Sequence, residues 1–367
     1  MQGEEQRLAL EEIGEEIENI RAAWRWALVQ HNRTAVNEGL FSLFDYYDMR
    51  SRFQEGQDAL QQAAAMVEAD HPKNEETQLL WGRLLARQGW FTFHVGRYGE
   101  AQRLLQQSVA LIRPLNQPTD LVFCLNYQGA VHYHLGDNTQ AETLCREALA
   151  LSQETEYQPG QGIALNILSQ TSFRTNDYEA AQRYCQRSLE ITTQLGNPWS
   201  RAYSLSNLAQ VAFAQQQYDE ARQLNHTILE IREEMGDVRG IAMCLEMLAR
   251  TAVAQDQPSD ARTLYQRSLY LYREIGNQRG MISTLVGLGR LALQQEAYET
   301  ACSYFADALQ RAFQLKNVPD LLAIAAGLVA ALYQMGQQET AVSLESLLSK
   351  DPLPLPQLAD LIQKLPQ

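Results

Sequence analysis

The stretch 96–108 reads GRYGEAQRLLQQS, and its outline returns as NDYEAAQRYCQRS at 176–188, QQYDEARQLNHTI at 216–228 and EAYETACSYFADA at 296–308. Weaker copies are GDNTQAETLCREA at 136–148, DQPSDARTLYQRS at 256–268 and GQQETAVSLESLL at 336–348. The central alanine falls at Ala101, Ala141, Ala181, Ala221, Ala261, Ala301 and Ala341, a step of forty residues each time. A fixed period of this size is the signature of a repeat architecture, in which each unit buries its apolar face only against its neighbours.

Each repeat reads as two helices. Sixteen residues before each anchor alanine come Leu85, Leu125, Leu165, Leu205, Leu245, Leu285 and then Ala325. Twelve before come Gly89, Gly129, Ser169, Ala209, Ala249, Gly289 and then Val329. Small residues there let helix A approach helix B closely, and the anchor does the same from the other side. Tyr98, Tyr178, Tyr218 and Tyr298, three before their anchors, plug the turn. Gly96, Gly136-Asp137, Asn176-Asp177 and Gly336 end helix A. Glycine, asparagine and proline near 115–120, 196–200, 236–240, 276–280 and 316–320 end helix B.

The front differs. Leu8–Gln30 has Leu10, Ile13, Ile17, Ile20, Trp24 and Leu28 at helical spacing, with a glutamate-rich polar face. Helices over 34–47 and 53–68 follow, then a loop at 70–76. Phe53 stands to Gly56 as Tyr98 stands to Ala101, but the Gly56–Ala101 step is 45 residues. The expected organisation is 1–76 as a leading helix plus an irregular hairpin, 77–350 as seven repeats, and 351–367 as a proline-rich cap.

The net charge of −14 argues against nonspecific nucleic-acid binding and against an anionic membrane surface. No apolar run has the length of a membrane span. The five cysteines lack metal-site spacing and read as small core residues of a reducing compartment. A cytoplasmic location is expected. There is no GxxxxGK[ST] loop, no basic reading helix and no Ser/His/Asp grouping. Neither catalysis nor a metal nor a cofactor is expected.

Paired helices with a small residue, an aromatic and an alanine at these positions resemble the tetratricopeptide repeat (TPR). The longer unit here is similar to the form in kinesin-light-chain and LGN-like scaffolds and in MalT-like activators. ENIRAAWRWA at 18–27 and RSRFQEG at 50–56, followed by Leu60, resemble segments that open the TPR region of STAND-type (NB-ARC-like) ATPase regulators. Trp24 stands where that pattern has leucine, and Ser51 where it has glycine. The resemblance implies an all-α, right-handed α-solenoid (superhelix) of TPR-like hairpins. It also implies the sensor or partner-recognition arm of a bacterial signalling or transcriptional regulator, binding a protein or peptide. A stand-alone scaffold and a small-molecule effector receptor are the alternatives. With no upstream ATPase motif present, the chain reads as an excised sensor arm or a free-standing relative.

The same resemblance places certain helix-A positions on a concave groove. Fifteen before the anchor stand Asn126, Asn166 and Glu246. Eleven before stand Trp90, Gln170, Gln210, Arg250 and Arg290. Eight before stand Phe93 and Tyr133, with Phe173 and Phe213 in the same column. Seven before stand His94, His134 and Arg174. Amides suit an extended peptide backbone and aromatics supply contact area. Packing between neighbouring A helices is the simpler reading of Phe173 and Phe213. For Asn126 and Asn166 a groove-facing role is expected, since an amide has little reason to recur in an apolar seam. Lysine occurs at 73, 316, 350 and 364, which disfavours a lysine-built carboxylate clamp.

Overall fold

The computed structural model describes residues 12–70, 74–314, 318–349 and residue 357. The chain forms two compact units, residues 1–215 and 216–367. Unit 1 holds α1 (Ile17–Val29), α2 (Arg33–Met49), α3 (Phe53–Ala69), α4 (Glu75–His94) and α5 (Tyr98–Ile112). It continues through α6 (Pro118–His134), α7 (Asn138–Glu154), α8 (Gln158–Arg174), α9 (Tyr178–Gln194) and α10 (Pro198–Ala214). Unit 2 holds α11 (Tyr218–Glu234), α12 (Val238–Ala254), α13 (Pro258–Glu274), α14 (Gln278–Gln294), α15 (Tyr298–Gln314), α16 (Val318–Gln334) and α17 (Gln338–Leu348). No strand occurs among the described residues, and none of their helices is long and apolar enough to cross a membrane.

The architecture is all-α, a succession of helical hairpins in the forty-residue register expected. Helix B begins at 98, 138, 178, 218, 258, 298 and 338. The leading helix is described from Glu12 and is interrupted at Glu16 before α1 resumes. The proline-rich 351–367 lies outside the described residues, apart from Gln357.

Helix ends follow local chemistry. Asp137, Asp177, Asn197, Asp237 and Asn277 each accept the backbone N–H three residues on, at 3.0–3.2 Å. Such caps satisfy donors that the first helical turn leaves open. Pro118, Pro198 and Pro258 open their helices, where the missing N–H is harmless. Each inter-helix turn that is wholly described places one residue at positive φ. Gly96, Gly136 and Gly336 serve the A-to-B turns, and Gly196, Gly236 and Gly276 the B-to-A turns. Asn176, Gln216, Asp256 and Glu296 take the same conformation without glycine's freedom. Ser51 does so at φ 54°, at the position where the resembled segment has glycine.

All seven anchor alanines are fully buried, and the leucine column is 0–5% exposed. The small-residue column makes the close approach expected of it. A β-carbon on Gly89 would stand 2.9 Å from Leu105 Cγ and 3.4 Å from the Ala101 carbonyl. The tyrosine plugs pack against the residue five before them, Tyr98 on Phe93 at 5.4 Å and Tyr178 on Phe173 at 5.5 Å. Buried hydroxyls add clips within each unit. Ser108, Ser188 and Ser268 donate to the carbonyls of Gly82, Gly162 and Ala242, each 26 residues back. All five cysteines are buried free thiols.

The two stretches that carry the resemblance at the front pack on each other. Arg21 on α1 pairs with Glu55 on α3 and donates to the Tyr47 hydroxyl at 3.1 Å. The Trp24 indole donates to the Ala59 carbonyl at 3.3 Å. A cleft of about 220 Å³ lies over these residues.

Candidate functional site

The richest chemistry of unit 1 lies where α4 packs between α2 and α6. Its centre is Arg87 on α4. That position holds Tyr127 and Ile167 in the next two repeats, and Arg87 is only 3% exposed. Its carbon sits 4.3 Å from the Phe41 ring centroid, 4.2 Å from Phe123 and 5.5 Å from Phe44. A cation over a ring face is held by the ring quadrupole, more strongly once desolvated. One Nη donates to the Arg83 carbonyl at 3.2 Å, and Nε has no hydrogen-bond partner. Burial lowers the Arg87 pKa, opposed by the charges of Asp120 and Asp45.

Neighbouring side chains hold this arrangement in place. Arg83 makes a two-point contact with Asp120 at 2.9 and 2.7 Å and also donates to Asn37. The Trp90 indole donates to Asp48 on α2 at 2.8 Å. Trp90 meets Tyr127 edge-on at 4.4 Å, and Phe123 lies 4.2 Å from Tyr127. The surface stays open: Phe41 is 43% exposed and Trp90, Phe123 and Tyr127 are half-buried. Asp45, one turn on from Phe41, is exposed to solvent. It makes no hydrogen bond or ion pair among the described residues. Desolvation by the surrounding protein nonetheless raises its pKa, only partly offset by Arg87. The result is an aromatic surface with a bare carboxylate beside it.

Of the residues expected at a groove, Trp90 belongs to this face. Phe93 is 7% exposed, packed among Trp90, Tyr98 and His134. His94 stacks on Phe53 at 4.2 Å. Tyr133 and Arg174 come together, with the guanidinium 3.7 Å from the ring centroid and donating to the Tyr133 carbonyl. His134 is exposed beside them.

Asn126 and Asn166 correct the expectation. Asn126 is fully buried and donates to the Gly160 carbonyl at 3.0 Å. Asn166 is 4% exposed and accepts from Asn207 at 3.3 Å. Both amides tie one A helix to the next, so a ligand does not reach them. Gln170 joins the second network, donating to Asn207 and to the half-exposed Tyr203 hydroxyl. Gln210 is half-buried on α10. Glu246, Arg250 and Arg290 lie in unit 2.

Sequence reasoning missed Phe41, Asp45, Asp48 and Arg87. The first three belong to the irregular hairpin, whose register the 45-residue step concealed. Arg87 carried a signal, being a cation in a column that is otherwise aromatic, apolar, amide or glycine.

Comparison with known proteins places the repeats. The family model described as tetratricopeptide repeat matches residues 121–194 and 200–274. No curated protein matches the chain in sequence. Among solved structures, the chain is similar to the apo form of the quorum sensor NprR from B. thuringiensis, with TM-score 0.63 and 12% identity. That match covers 92% of this chain and 98% of NprR. A Rap protein complexed with competence and sporulation factor matches with TM-score 0.56 and 15% identity, over 92% of this chain and 99% of that one. A Pyrococcus horikoshii STAND protein with a tetratricopeptide repeat sensor matches with TM-score 0.59 and 15% identity, over 84% of this chain. The chain spans about half of that protein, 49%. At these identities the likeness is one of fold.

Proposed function

We propose that this chain, an array of tetratricopeptide repeats, recognises a protein or peptide partner through the A-helix face of unit 1, as the partner-recognition or sensor arm of a regulator. The observation that carries this reading is the exposed Phe41 beside an unpaired Asp45, on a surface stiffened by the caged Arg87. A partner's arginine or lysine would lay its stem on the aromatic rings and bring its charge to Asp45. Such contacts gain strength where neighbouring protein has already displaced water. The overall charge of −14 favours encounter with a basic segment. The regulatory part of the reading is supported by the fold shared with a quorum sensor, a Rap protein and a STAND sensor.

The test is capture of partners by the purified chain from the lysate of its own cells, followed by mass spectrometry. It is run in parallel with Phe41→Ala/Asp45→Asn. A protein or peptide bound by the parent and lost by the variant, at unchanged helical content, is the expected result. Equal capture by both would remove this face from the function. A metabolite as the only captured species would replace the protein partner with a small-molecule effector.

A further inference from the structure

The cleft at the front of unit 1 is separate from the aromatic face: Phe41, Asp45 and Arg87 do not line it. Residues of α1, α2 and α3 enclose about 220 Å³, less than the ~300–1,000 Å³ of pockets that bury drug-sized ligands. Trp24, Leu43 and Ala59 give it an apolar lining.

Its two walls carry opposite charge. Arg21 and Arg25 line it from α1, one turn apart, and Glu55 and Asp58 line it from α3, also one turn apart. Two contacts fix how the walls face each other. Arg21 pairs with Glu55, and the Trp24 indole reaches the Ala59 carbonyl at 3.3 Å. The two contacts advance in the same direction along both helices. Arg25, next to Trp24, therefore stands across the cleft from the Asp58–Ala59 stretch.

The first pair of opposite charges is closed and the second is open. Besides Glu55, Arg21 donates to Glu18 at 2.6 Å and to the Tyr47 hydroxyl at 3.1 Å. Arg25 gives only its Nε, to the Arg21 carbonyl at 3.3 Å. That contact holds the guanidinium against α1 and leaves both Nη groups with no hydrogen bond or ion pair among the described residues. Asp58 accepts from Gln54 at 2.9 Å on Oδ1, and its Oδ2 accepts nothing among the described residues. Arg25 and Asp58 line one small cleft without forming an ion pair across it.

Such a space fits a small molecule that carries both charges close together beside an apolar group. We propose that this cleft binds a free α-amino acid with an aliphatic or aromatic side chain. Its carboxylate would meet the Arg25 Nη groups, its ammonium Asp58 Oδ2, and its side chain Trp24, Leu43 and Ala59. A guanidinium takes a carboxylate at two points, and an ammonium brings only donors, as a free carboxylate oxygen requires. The site uses no residue of the Phe41–Asp45 face and does not rest on the partner reading given to that face.

The test is calorimetric titration of the full chain with L-leucine, L-methionine and L-phenylalanine. The tightest binder is then compared with its N-acetyl and carboxamide derivatives, each of which lacks one charge. Saturable binding of at least one amino acid is expected, weakened about tenfold or more by blocking either end, the scale of a hydrogen bond to a charged group. Arg25→Gln should weaken the free amino acid by a similar factor and the carboxamide no further. Asp58→Asn should do the same for the N-acetyl form. Both positions are exposed, so the helical signal should not change. Absence of saturable heat with all three amino acids would overturn the proposal. So would binding that neither substitution weakens, or that both blocked derivatives reproduce.

Discussion

Phe91 on α4 occupies the space that a β-carbon on Gly56 of α3 would need, with ring atoms at 2.5, 2.8 and 3.0 Å from that position. Gly56 stands where later repeats carry their anchor alanine. The irregular hairpin thus keeps the architecture of the others but uses a larger plug and a smaller socket. Phe91 is fully buried and packs on Phe44 at 5.0 Å. Gly56→Ala would gain about 1 kcal/mol of helix propensity. Overpacking against a ring held on several sides costs about 1–3 kcal/mol and wins. The variant is expected to unfold at lower urea concentration, and an unchanged midpoint would mean that Phe91 has room to move.

Asp45 lends the unit 1 face a pH dependence. Although its side chain is exposed, desolvation by the surrounding protein raises its folded pKa, so the folded chain holds this proton more tightly than the unfolded chain does. Ionised Asp45 therefore disfavours the fold, and this penalty disappears as pH falls below the ordinary carboxylate range. Asp45→Asn is expected to be more stable than the parent at pH 7 and to lose that advantage near pH 3, in denaturation curves at both values. A cationic partner should lose affinity as pH falls through the raised pKa, and less so for the asparagine variant.

The left-handed turn residues separate backbone strain from packing. Glu296 holds φ 57° and Gly236 φ 65°, and a β-carbon on Gly236 would touch nothing within 4 Å. A left-handed conformation costs a residue with a β-carbon about 1–2 kcal/mol, more than the extra freedom glycine has when unfolded, about 0.5–1 kcal/mol. Glu296→Gly should therefore stabilise by about 0.5–1 kcal/mol, and Gly236→Ala should destabilise by about the same amount. Opposite signs in thermal unfolding are the expected outcome; equal signs would show that the turns relax.

The thiols should report on unfolding. All five cysteines are buried, and burial pushes Cys124 and Cys244 up to about 12 and Cys185 to about 11. The thiolate is the reactive form, and the native chain holds almost none of it at neutral pH. Ellman's reagent should label no cysteine in buffer and all five in step with the loss of helical signal in denaturant. A thiol that reacts in the native chain would mark local opening of its hairpin.

The forty-residue recurrence determined the hairpins, their boundaries and the buried columns by itself. Anchor alanines, leucines and glycine turns are local demands of helix geometry, and they recur because each repeat meets the same neighbours. Tertiary structure alone decided what each polar residue does on its face. Helical phase says which way Asn126 and Asn166 point, but their depth depends on how closely the next A helix lies. Their partners, Gly160 and Asn207, are 34 and 41 residues further on. The Tyr265 ring of α13 packs against α14 only because Gly287 has no side chain there. Arg87 is caged by rings from α2 and α6 that no periodicity links to it. A repeat specifies the contacts every unit shares; the contacts that differ between units depend on pairs of residues far apart in the chain, which become visible once the hairpins are packed.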